Sequence, residues 1–303
     1  MRSLVVGYGS IGQRHARLLD ELGASPAVVS RRGIDHRAAF SSLKEALAAH
    51  RPDLVVIATE TGAHHAALTD LADLDFRGRV LVEKPLFERM RPLPRNAFGD
   101  LRVAYNLRCH VLIHALRDRL ADQRACIVQA VAGQYLPAWR PGRDWRRGYS
   151  ADPGRGGGVL RDLSHELDLL LWLLGPWRRV AALGGGSGLL GIASDDHWSI
   201  LIAFAGGASA SLQLDYLSRP GRRTLAVEHA GGTLIADLVA GTLEHEGGMA
   251  NAKAHRDDSY RRQLQAMLSG ETAALCDAKG GLAVVALIEA IERAARERAW
   301  VSA

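Results

Sequence analysis

A glycine-rich turn after the first hydrophobic run constrains the fold more than any other feature of the sequence. The apolar run Ser3–Val6 has the length of a strand, and an amphipathic segment of helical length starts soon after it. The turn that joins them consists of Gly7, Tyr8, Gly9, Ser10, Ile11 and Gly12. A G-x-G-x-x-G turn from a strand into a helix lets the backbone approach a pyrophosphate at the positive end of the helix. We therefore predict that these six residues bind a dinucleotide, the alternative being a glycine turn without a ligand.

Short β-rich runs alternate with helical segments over the first hundred residues. The predicted strands are Ser3–Val6, Ala27–Ser30, Leu54–Ala58, Val80–Val82 and Val103–Tyr105. Helices are predicted at Ile11–Leu22 and Leu43–His50. This alternation is typical of βαβ units with a parallel sheet. We therefore predict an α/β protein in which residues 1–108 form a Rossmann dinucleotide-binding domain.

The pattern changes beyond residue 108. Helices are predicted at Val111–Leu120 and Val159–Leu174, a strand at Cys126–Tyr135, and two further helices near the end of the chain. Further strand-like runs follow one another without helices at Val180–Leu183, Trp198–Phe204, Ala208–Tyr216, Thr224–His229 and Thr233–Leu238. Such a succession indicates an antiparallel sheet. Residues 109–303 are therefore predicted to form an α+β domain with an open, mainly antiparallel sheet.

Length, hydropathy and cysteine usage narrow the class of protein. The 303 residues suffice for two domains, and no apolar run approaches the roughly 20 residues that cross a bilayer. The cysteines Cys109, Cys126 and Cys276 lack C-x-x-C spacing, which predicts neither a disulfide framework nor a metal site. The first apolar run is too short for a signal peptide. We expect a cytoplasmic protein without a membrane partner.

Arginine carries the basic surplus of the chain. Lys and Arg outnumber Asp and Glu by 38 to 33, and only four of the basic residues are lysines. After the second strand, where an NAD site usually has an acidic residue, the chain has Ser30, Arg31 and Arg32. A hydroxyl and two guanidinium groups suit a 2′-phosphate, so we predict that NADP(H) is preferred over NAD(H). The alternative is a solvated arginine pair. The sequence has no extended stripe of basic residues with interleaved aromatic residues, so we do not expect it to bind nucleic acid.

A lysine follows the fourth predicted strand. Glu83, Lys84 and Pro85 come directly after Val82, at the carboxyl edge of the sheet where α/β folds bind ligands. An ammonium group there can donate to a carbonyl oxygen or exchange a proton with a hydroxyl group. Lys84 is therefore a candidate catalytic residue, the alternative being a surface lysine before a loop.

The predicted helix Val159–Leu174 carries an acid and an imidazole three residues apart. At 100° per residue, Asp162 and His165 lie on the same side of a continuous helix, opposite a leucine stripe. Histidine titrates near neutral pH and can pass a proton, while Asp162 can hold a substrate or orient His165. The alternative is an acid favoured by the helix dipole and a core histidine.

Aromatic and basic residues before this helix suit a sugar-type substrate. Aromatic rings pack on sugar rings, and arginines bind carboxylate or phosphate groups. The candidate substrate contacts are Arg108, Tyr135, Trp139 and Arg143. A basic, solvated loop or a subunit contact is the alternative.

Taken together, the motifs resemble the Gfo/Idh/MocA (glucose–fructose oxidoreductase/inositol dehydrogenase) family over nearly the whole chain. The resemblance rests on the glycine turn, on residues 55–64, on Glu83-Lys84-Pro85, on Tyr105-Asn106-Leu107-Arg108 and on the helix with Asp162 and His165. It implies acid–base chemistry at Lys84, with Asp162 and His165 as partners. It also implies that the nicotinamide half of the cofactor contacts Thr59, His64, Glu83 and Asn106. Many members space the helix acid and histidine four residues apart, whereas here they are three apart.

The resemblance further implies an activity and an assembly. We expect an NADP(H)-dependent oxidoreductase that interconverts a hydroxyl and a carbonyl on a sugar, sugar acid or nucleotide sugar, with surface-polysaccharide biosynthesis as a candidate role. The substrate can therefore be anionic. The antiparallel sheet is expected to pair subunits in a homo-oligomer. Two alternatives stay open: a redox-neutral, dinucleotide-dependent glycosidase and a non-catalytic dinucleotide-binding regulator.

Overall fold

The structure is a computed structural model that describes residues 1–121, 123–252 and 255–303. Its helices are α1 (Ser10–Glu21), α2 (Leu43–His50), α3 (His64–Asp73), α4 (Val111–Leu120), α5 (Val159–Asp162), α6 (His165–Leu174), α7 (Asp258–Ser269) and α8 (Ala278–Glu297). Its strands are β1 (Arg2–Val6), β2 (Ser25–Val29), β3 (Ala39–Phe40), β4 (Leu54–Ile57), β5 (Arg79–Val82), β6 (Asp100–Val103), β7 (Ala125–Gly133), β8 (Trp177–Gly185), β9 (His197–Phe204), β10 (Ser209–Asp215), β11 (Arg222–His229), β12 (Gly232–Asp237), β13 (Thr242–His245), β14 (Gly248–Asn251), β15 (Cys276–Asp277) and β16 (Val301–Ser302).

The first unit is built on a parallel sheet with the strand order β15-β6-β5-β4-β1-β2-β3. Every neighbouring pair is parallel except β15 with β6. All four residues of β4 are buried, as are the last four of β1, because strands of a helix-covered parallel sheet have no solvent face. The predicted Rossmann fold is confirmed. The structure adds two short edge strands, and β6 ends at Val103 where the sequence predicted that a strand starts.

The first unit also contains a segment that lies within residues 109–303, the range predicted to form the second domain. It comprises Met1–Cys109 and Arg256–Leu282, while the second unit comprises His110–His255 and Ala283–Ala303. Helix α7 buries Leu264 and Met267 in the same hydrophobic cluster as Val5 and Leu18. Packing in this core, rather than position along the chain, therefore places the segment in the first unit.

The second unit contains the predicted open, mainly antiparallel sheet. Its strand order is β14-β13-β12-β11-β7-β10-β9-β8-β16, and only the β7–β10 pair is parallel among the described strands. Burial alternates along β9 and β10, which shows one packed face and one open face. Helices α4, α5 and α6 contact this sheet within the unit.

The predicted long helix Val159–Leu174 is wrong in one respect, because it is interrupted at Leu163 and Ser164. The Ser164 hydroxyl donates to the carbonyl oxygen of Arg161 at 2.9 Å, a local bond that competes with helical hydrogen bonding. Asp162 thus ends α5 and His165 begins α6. The 100° rule therefore does not describe their relative orientation.

Candidate functional site

The glycine turn has the close contacts that only glycine tolerates. Gly7 has φ of +97°, and a Cβ atom there would lie 2.7 Å from the carbonyl oxygen of Ala58. A Cβ atom on Gly12 would lie 2.0 Å from the carbonyl oxygen of Gly7. Backbone atoms therefore exclude a side chain at either position. The absence of side chains lets the start of α1 lie against the end of β1. This matches the roles of the first and third glycines in a dinucleotide fingerprint.

The same turn leaves room and hydrogen-bond donors for a pyrophosphate. A Cβ atom on Gly9 would meet nothing within 4 Å among the described residues. Gly9 is the N-cap of α1, no side chain caps it, and the first turn of α1 contains no acidic residue. The free backbone N–H groups and the helix dipole at this end suit an anion. The residues present therefore fit a dinucleotide.

A buried hydroxyl group adds to this fit. The Oγ1 atom of Thr59 is inaccessible to solvent and has no hydrogen-bond partner among the described residues. Thr59 follows β4, and its backbone nitrogen would lie 2.9 Å from a Cβ atom on Gly7. Because a buried hydroxyl without a partner is costly, this atom is a candidate ligand contact beside the turn.

The carboxyl end of β2 carries the predicted phosphate-binding residues. Ser30 is half-buried, whereas Arg31 and Arg32 are exposed. The Ser30 hydroxyl accepts the backbone N–H of Arg32 at 3.1 Å, so the three residues form one local turn. This geometry leaves both guanidinium groups open to an anion.

Lys84 lies on a tight turn at the end of β5. It is half-buried between the buried residues Glu83 and Pro85, and the Lys84–Pro85 peptide bond is cis. The backbone N–H of Lys84 donates to the Glu83 carboxylate at 3.2 Å. This hydrogen bond holds the Glu83 carboxylate against the backbone of the turn, while the half-buried Lys84 keeps access to solvent.

Glu83 contacts a histidine that the sequence analysis did not identify. The Nε2 atom of His15, on α1, lies 2.8 Å from Oε1 of Glu83, and the imidazole is fully buried. Burial by itself would raise the pKa of Glu83, but the hydrogen bond and charge of His15, together with the charge of Lys84, hold that pKa below its ordinary value. Glu83 therefore stays a carboxylate at neutral pH.

His64 contacts backbone on the other side of the turn. Its Nδ1 atom lies 3.1 Å and 3.2 Å from the carbonyl oxygens of Pro85 and Leu86, and its Nε2 atom lies 3.2 Å from that of Thr59. Burial lowers the pKa of His64, although these carbonyl groups and Glu83 act in the opposite direction. The imidazole is therefore neutral at neutral pH. Both ring nitrogens lie near protein carbonyl oxygens, and the neutral ring donates from only one of them, so its contact with nicotinamide stays a prediction.

Two further predicted residues are buried in the first unit. The Asn106 amide donates to the Ser259 hydroxyl at 2.7 Å, and both residues are buried. Arg108 is 8% exposed, and its guanidinium group would lie 3.6 Å from a Cβ atom on Gly280. Both side chains thus face the segment Arg256–Leu282, and their predicted ligand contacts stay predictions.

In the second unit, Asp162 is the acceptor of a small hydroxyl cluster. Its Oδ2 atom accepts hydrogen bonds from the Ser150 hydroxyl at 2.5 Å and from the Tyr216 hydroxyl at 2.6 Å. Burial, and then the negative charge of Asp162, hold the pKa of Tyr216 well above its usual range. Tyr216 therefore stays a donor that orients the carboxylate. Neither hydroxyl was predicted, although Tyr216 directly follows β10.

Asp195 fixes the start of the short helix that carries this carboxylate. Its carboxylate accepts the backbone N–H of Leu160 at 2.9 Å and the indole N–H of Trp198 at 2.7 Å. Gly158 has φ of +118°, and a Cβ atom there would lie 2.0 Å from Asp195 Oδ1. The position of Asp162 is therefore set by the loop before β9, while His165, the first residue of α6, is buried.

One of the two aromatic candidates lies beside this cluster. The indole ring of Trp139 packs edge-on against Tyr216, with centroids 5.3 Å apart. Its Nε1 atom is buried and has no hydrogen-bond partner among the described residues. The guanidinium carbon of Arg219 lies 3.4 Å from the centroid of Tyr135. Trp139 is thus brought next to the Asp162 cluster, whereas Arg143 is exposed on its loop.

The described residues lack two features, a metal-ligating cluster and a membrane-spanning helix. None of them forms a group of three or more His, Cys, Asp or Glu side chains that could hold a metal ion. Among the helices of the described part of the chain, none combines the length and apolar character of a membrane span.

The fold and the glycine turn define a dinucleotide-binding oxidoreductase. The oxidoreductase family model with an NAD-binding Rossmann fold matches residues 1–95, and the Gfo/Idh/MocA C-terminal domain model matches residues 113–235. The chain belongs to the Gfo/Idh/MocA family, which confirms the resemblance. No curated protein sequence matches significantly.

Solved structures of similar fold include several dehydrogenases. GenD2 from gentamicin A biosynthesis, in complex with NAD, is 25% identical with a TM-score of 0.81, and the match covers 100% of this chain and 96% of that one. The WlbA dehydrogenase from Bordetella pertussis, in complex with NADH and UDP-GlcNAcA, is 24% identical with a TM-score of 0.80 over 100% and 98%. A levoglucosan dehydrogenase with NADH and levoglucosan is 15% identical with a TM-score of 0.83 over the same shares.

Proposed function

We propose that the protein is an NADP(H)-dependent oxidoreductase that interconverts a hydroxyl and a carbonyl group on a sugar-type substrate. One observation carries the proposal. The adjacent parallel strands β2, β1, β4 and β5 are followed by Ser30, Gly7, Thr59 and Lys84 respectively. One edge of the sheet therefore presents the backbone N–H groups at the start of α1, a buried hydroxyl without a hydrogen-bond partner among the described residues, and an ammonium group. Ligands of open α/β sheets bind at this edge.

The proposed roles follow from the chemistry of each side chain. A bound nicotinamide supplies a hydride donor or acceptor. Lys84 donates a hydrogen bond to the reacting oxygen of the substrate and exchanges its proton. Asp162, oriented by Ser150 and Tyr216, accepts a hydrogen bond from a substrate hydroxyl, and His165 serves as a second proton-transfer group. The Trp139 indole N–H is proposed to donate to the substrate.

Cofactor preference depends on Arg31 and Arg32. The double variant Arg31→Ala/Arg32→Ala should raise the Kd for NADP+ about tenfold, or about 1.4 kcal/mol, and leave the Kd for NAD+ nearly unchanged. Calorimetric titration with both nucleotides measures this. The control Arg89→Ala/Arg95→Ala removes the same charge from two exposed positions. Equal binding of both nucleotides by the unaltered protein would remove the proposal.

A turnover screen tests the activity itself. Sugars, sugar acids and nucleotide sugars are offered with NADP(H) and with NAD(H), and the absorbance of reduced nicotinamide is followed. We expect one class of substrate to change this absorbance in proportion to product formed. Product without a net change, from protein purified with tightly retained cofactor, would contradict a net redox reaction. A role in surface-polysaccharide biosynthesis stays a prediction until a substrate is found.

We also propose that the open sheet face pairs two copies of the chain. Ile127 on β7, Leu201 on β9 and Leu183 on β8 are exposed by 47%, 52% and 72%, and these strands belong to the adjacent run β7-β10-β9-β8 of this sheet. Apolar groups of this size on one sheet face are typical of a protein interface. Light scattering at several concentrations measures the oligomeric state.

A further inference from the structure

Two buried imidazole rings contact the turn of Lys84 from different helices. His15 projects from α1 and contacts the Glu83 carboxylate, one residue before Lys84. His64 begins α3 and contacts the carbonyl oxygens of Pro85 and Leu86, the two residues after it. The two histidines are 0% and 1% exposed. Lys84 thus lies at the centre of a four-residue turn that is held at both ends.

The His15 contact is itself held firmly. Its ring packs edge-on against Tyr260 with centroids 5.9 Å apart, and the guanidinium group of Arg14 lies 5.0 Å from the same tyrosine ring. Arg14 also pairs with Asp257 at 3.1 Å. Helix α1 is therefore anchored to the segment before and within α7. The imidazole of His15 therefore cannot shift without disturbing several contacts in the first unit.

The His15 contact alone is not an efficient way to stabilise the fold. The Nδ1 atom of His15 is buried without a hydrogen-bond partner among the described residues, so the ring carries an unmet polar group. Burying an imidazole and a carboxylate together carries a desolvation cost that an apolar pair of similar size would not have. What these groups do provide is a fixed carboxylate, which in turn accepts the backbone N–H of Lys84.

We propose that His15 and His64 are positioning residues that fix the direction of the Lys84 side chain. His15 acts through Nε2 on Glu83, and His64 acts through Nδ1 on the carbonyl groups of Pro85 and Leu86. The inference rests on the proposed function, because it assigns Lys84 to proton exchange. A reacting group displaced by about 1 Å can lose about 10²-fold in rate, so such a device has a kinetic purpose.

Because the chain has only four lysines, the signal of a labelled Lys84 side chain can be observed separately by NMR. Reductive methylation with ¹³C-formaldehyde labels the four lysines and the amino terminus, and it preserves the positive charge. The Lys84→Arg variant identifies the Lys84 signal in the carbon–proton spectrum. Lys44 and Lys279 are exposed and serve as internal controls.

The two histidines call for opposite substitutions. A glutamine amide reaches the place of the imidazole Nε2 atom, and an asparagine amide reaches the place of Nδ1. His15→Gln should therefore keep the donor to Glu83, whereas His15→Asn should lose it. At His64 the order reverses, since Asn keeps the contact with Pro85 and Leu86 and Gln does not.

The expected result is a crossed pattern. His15→Asn and His64→Gln should shift and broaden the Lys84 signal, whereas His15→Gln and His64→Asn should leave it near its original position. The signals of Lys44 and Lys279 should stay unchanged in all four variants. On an identified substrate, the two disruptive variants should lower kcat up to about 10²-fold with little change in KM.

Two outcomes would overturn the inference. An unchanged Lys84 signal in both disruptive variants would show that the turn does not need the imidazoles. Equal displacement in all four variants would indicate a general packing role. If His15→Asn does not fold, the His64 pair decides alone. Because the spectrum needs no turnover, its result is independent of whether Lys84 proves essential for activity.

Discussion

Replacement of Lys84 by methionine is expected to lower kcat by about 10²- to 10⁴-fold, the usual contribution of a positioned acid–base group. Methionine keeps the length and apolar stem of lysine but cannot donate to or exchange a proton with the reacting oxygen. The Kd for NADPH should change by less than about twofold, because the glycine turn and the end of β2 carry the proposed phosphate contacts. Steady-state kinetics on the substrate found by screening and calorimetry with NADPH measure the two effects.

The matched controls are Lys44→Met and Lys279→Met. Both lysines are exposed, and each substitution removes the same charge. Neither should change kcat by more than about twofold, as expected for surface substitutions far from special contacts. A Lys84→Met enzyme with near-normal kcat would refute the assigned chemistry, whereas loss of NADPH binding would show that Lys84 serves the cofactor instead.

The strands of the first sheet, the glycine turn and the position of Lys84 at the sheet edge could be predicted because each depends on a short stretch of sequence. Buried strands such as Leu54–Ile57 are continuous apolar runs, and the turn from Gly7 to Gly12 has its strand and helix directly beside it. Parallel strands all end at the same edge, so Lys84 could be placed there from the order of elements alone. Local pattern and topology together were therefore sufficient.

The parts that were missed depend on contacts between distant residues. His15 and Glu83 are 68 positions apart, and Tyr216 and Asp162 are 54 apart. In the sequence, His15 is one polar residue within an amphipathic helix, and Tyr216 is one end of a strand. The local sequence of neither segment indicates the distant residue that its side chain contacts. The direction of each side chain is set by tertiary packing.

The interrupted helix shows a different limit. Leucines at helical spacing continue through Leu163, so periodicity predicts one helix from Val159 to Leu174. The signals for a break are a serine followed within one turn by Glu166 and Asp168, which favour a new helix start. The Ser164 hydroxyl does not cap the new helix but donates to the carbonyl oxygen of Arg161, within the break itself. The three-residue spacing in this chain is therefore not the spacing of one continuous helix.

Substitution of Gly9 by alanine is expected to separate cofactor binding from folding. A Cβ atom at Gly9 meets nothing within 4 Å, and Gly9 has an extended backbone with φ of −78° that alanine adopts readily. The folded protein should therefore tolerate the change, with a Tm close to that of the unaltered chain. The new methyl group would occupy the space that a pyrophosphate needs beside the start of α1. We expect the Kd for NADPH to rise about 10²-fold, or about 3 kcal/mol.

Two glycines at other positions make this result specific. Gly12→Ala would place a Cβ atom 2.0 Å from the carbonyl oxygen of Gly7, so it should lower the Tm as well as weaken NADPH binding. Gly206→Ala, where the nearest atom is 3.8 Å from the Cβ position, should change neither quantity. Thermal unfolding and calorimetry on the three variants distinguish these cases. A Gly9→Ala protein that binds NADPH normally would show that the pyrophosphate does not lie against Gly9, because the added methyl group and the cofactor would then not compete for the same space.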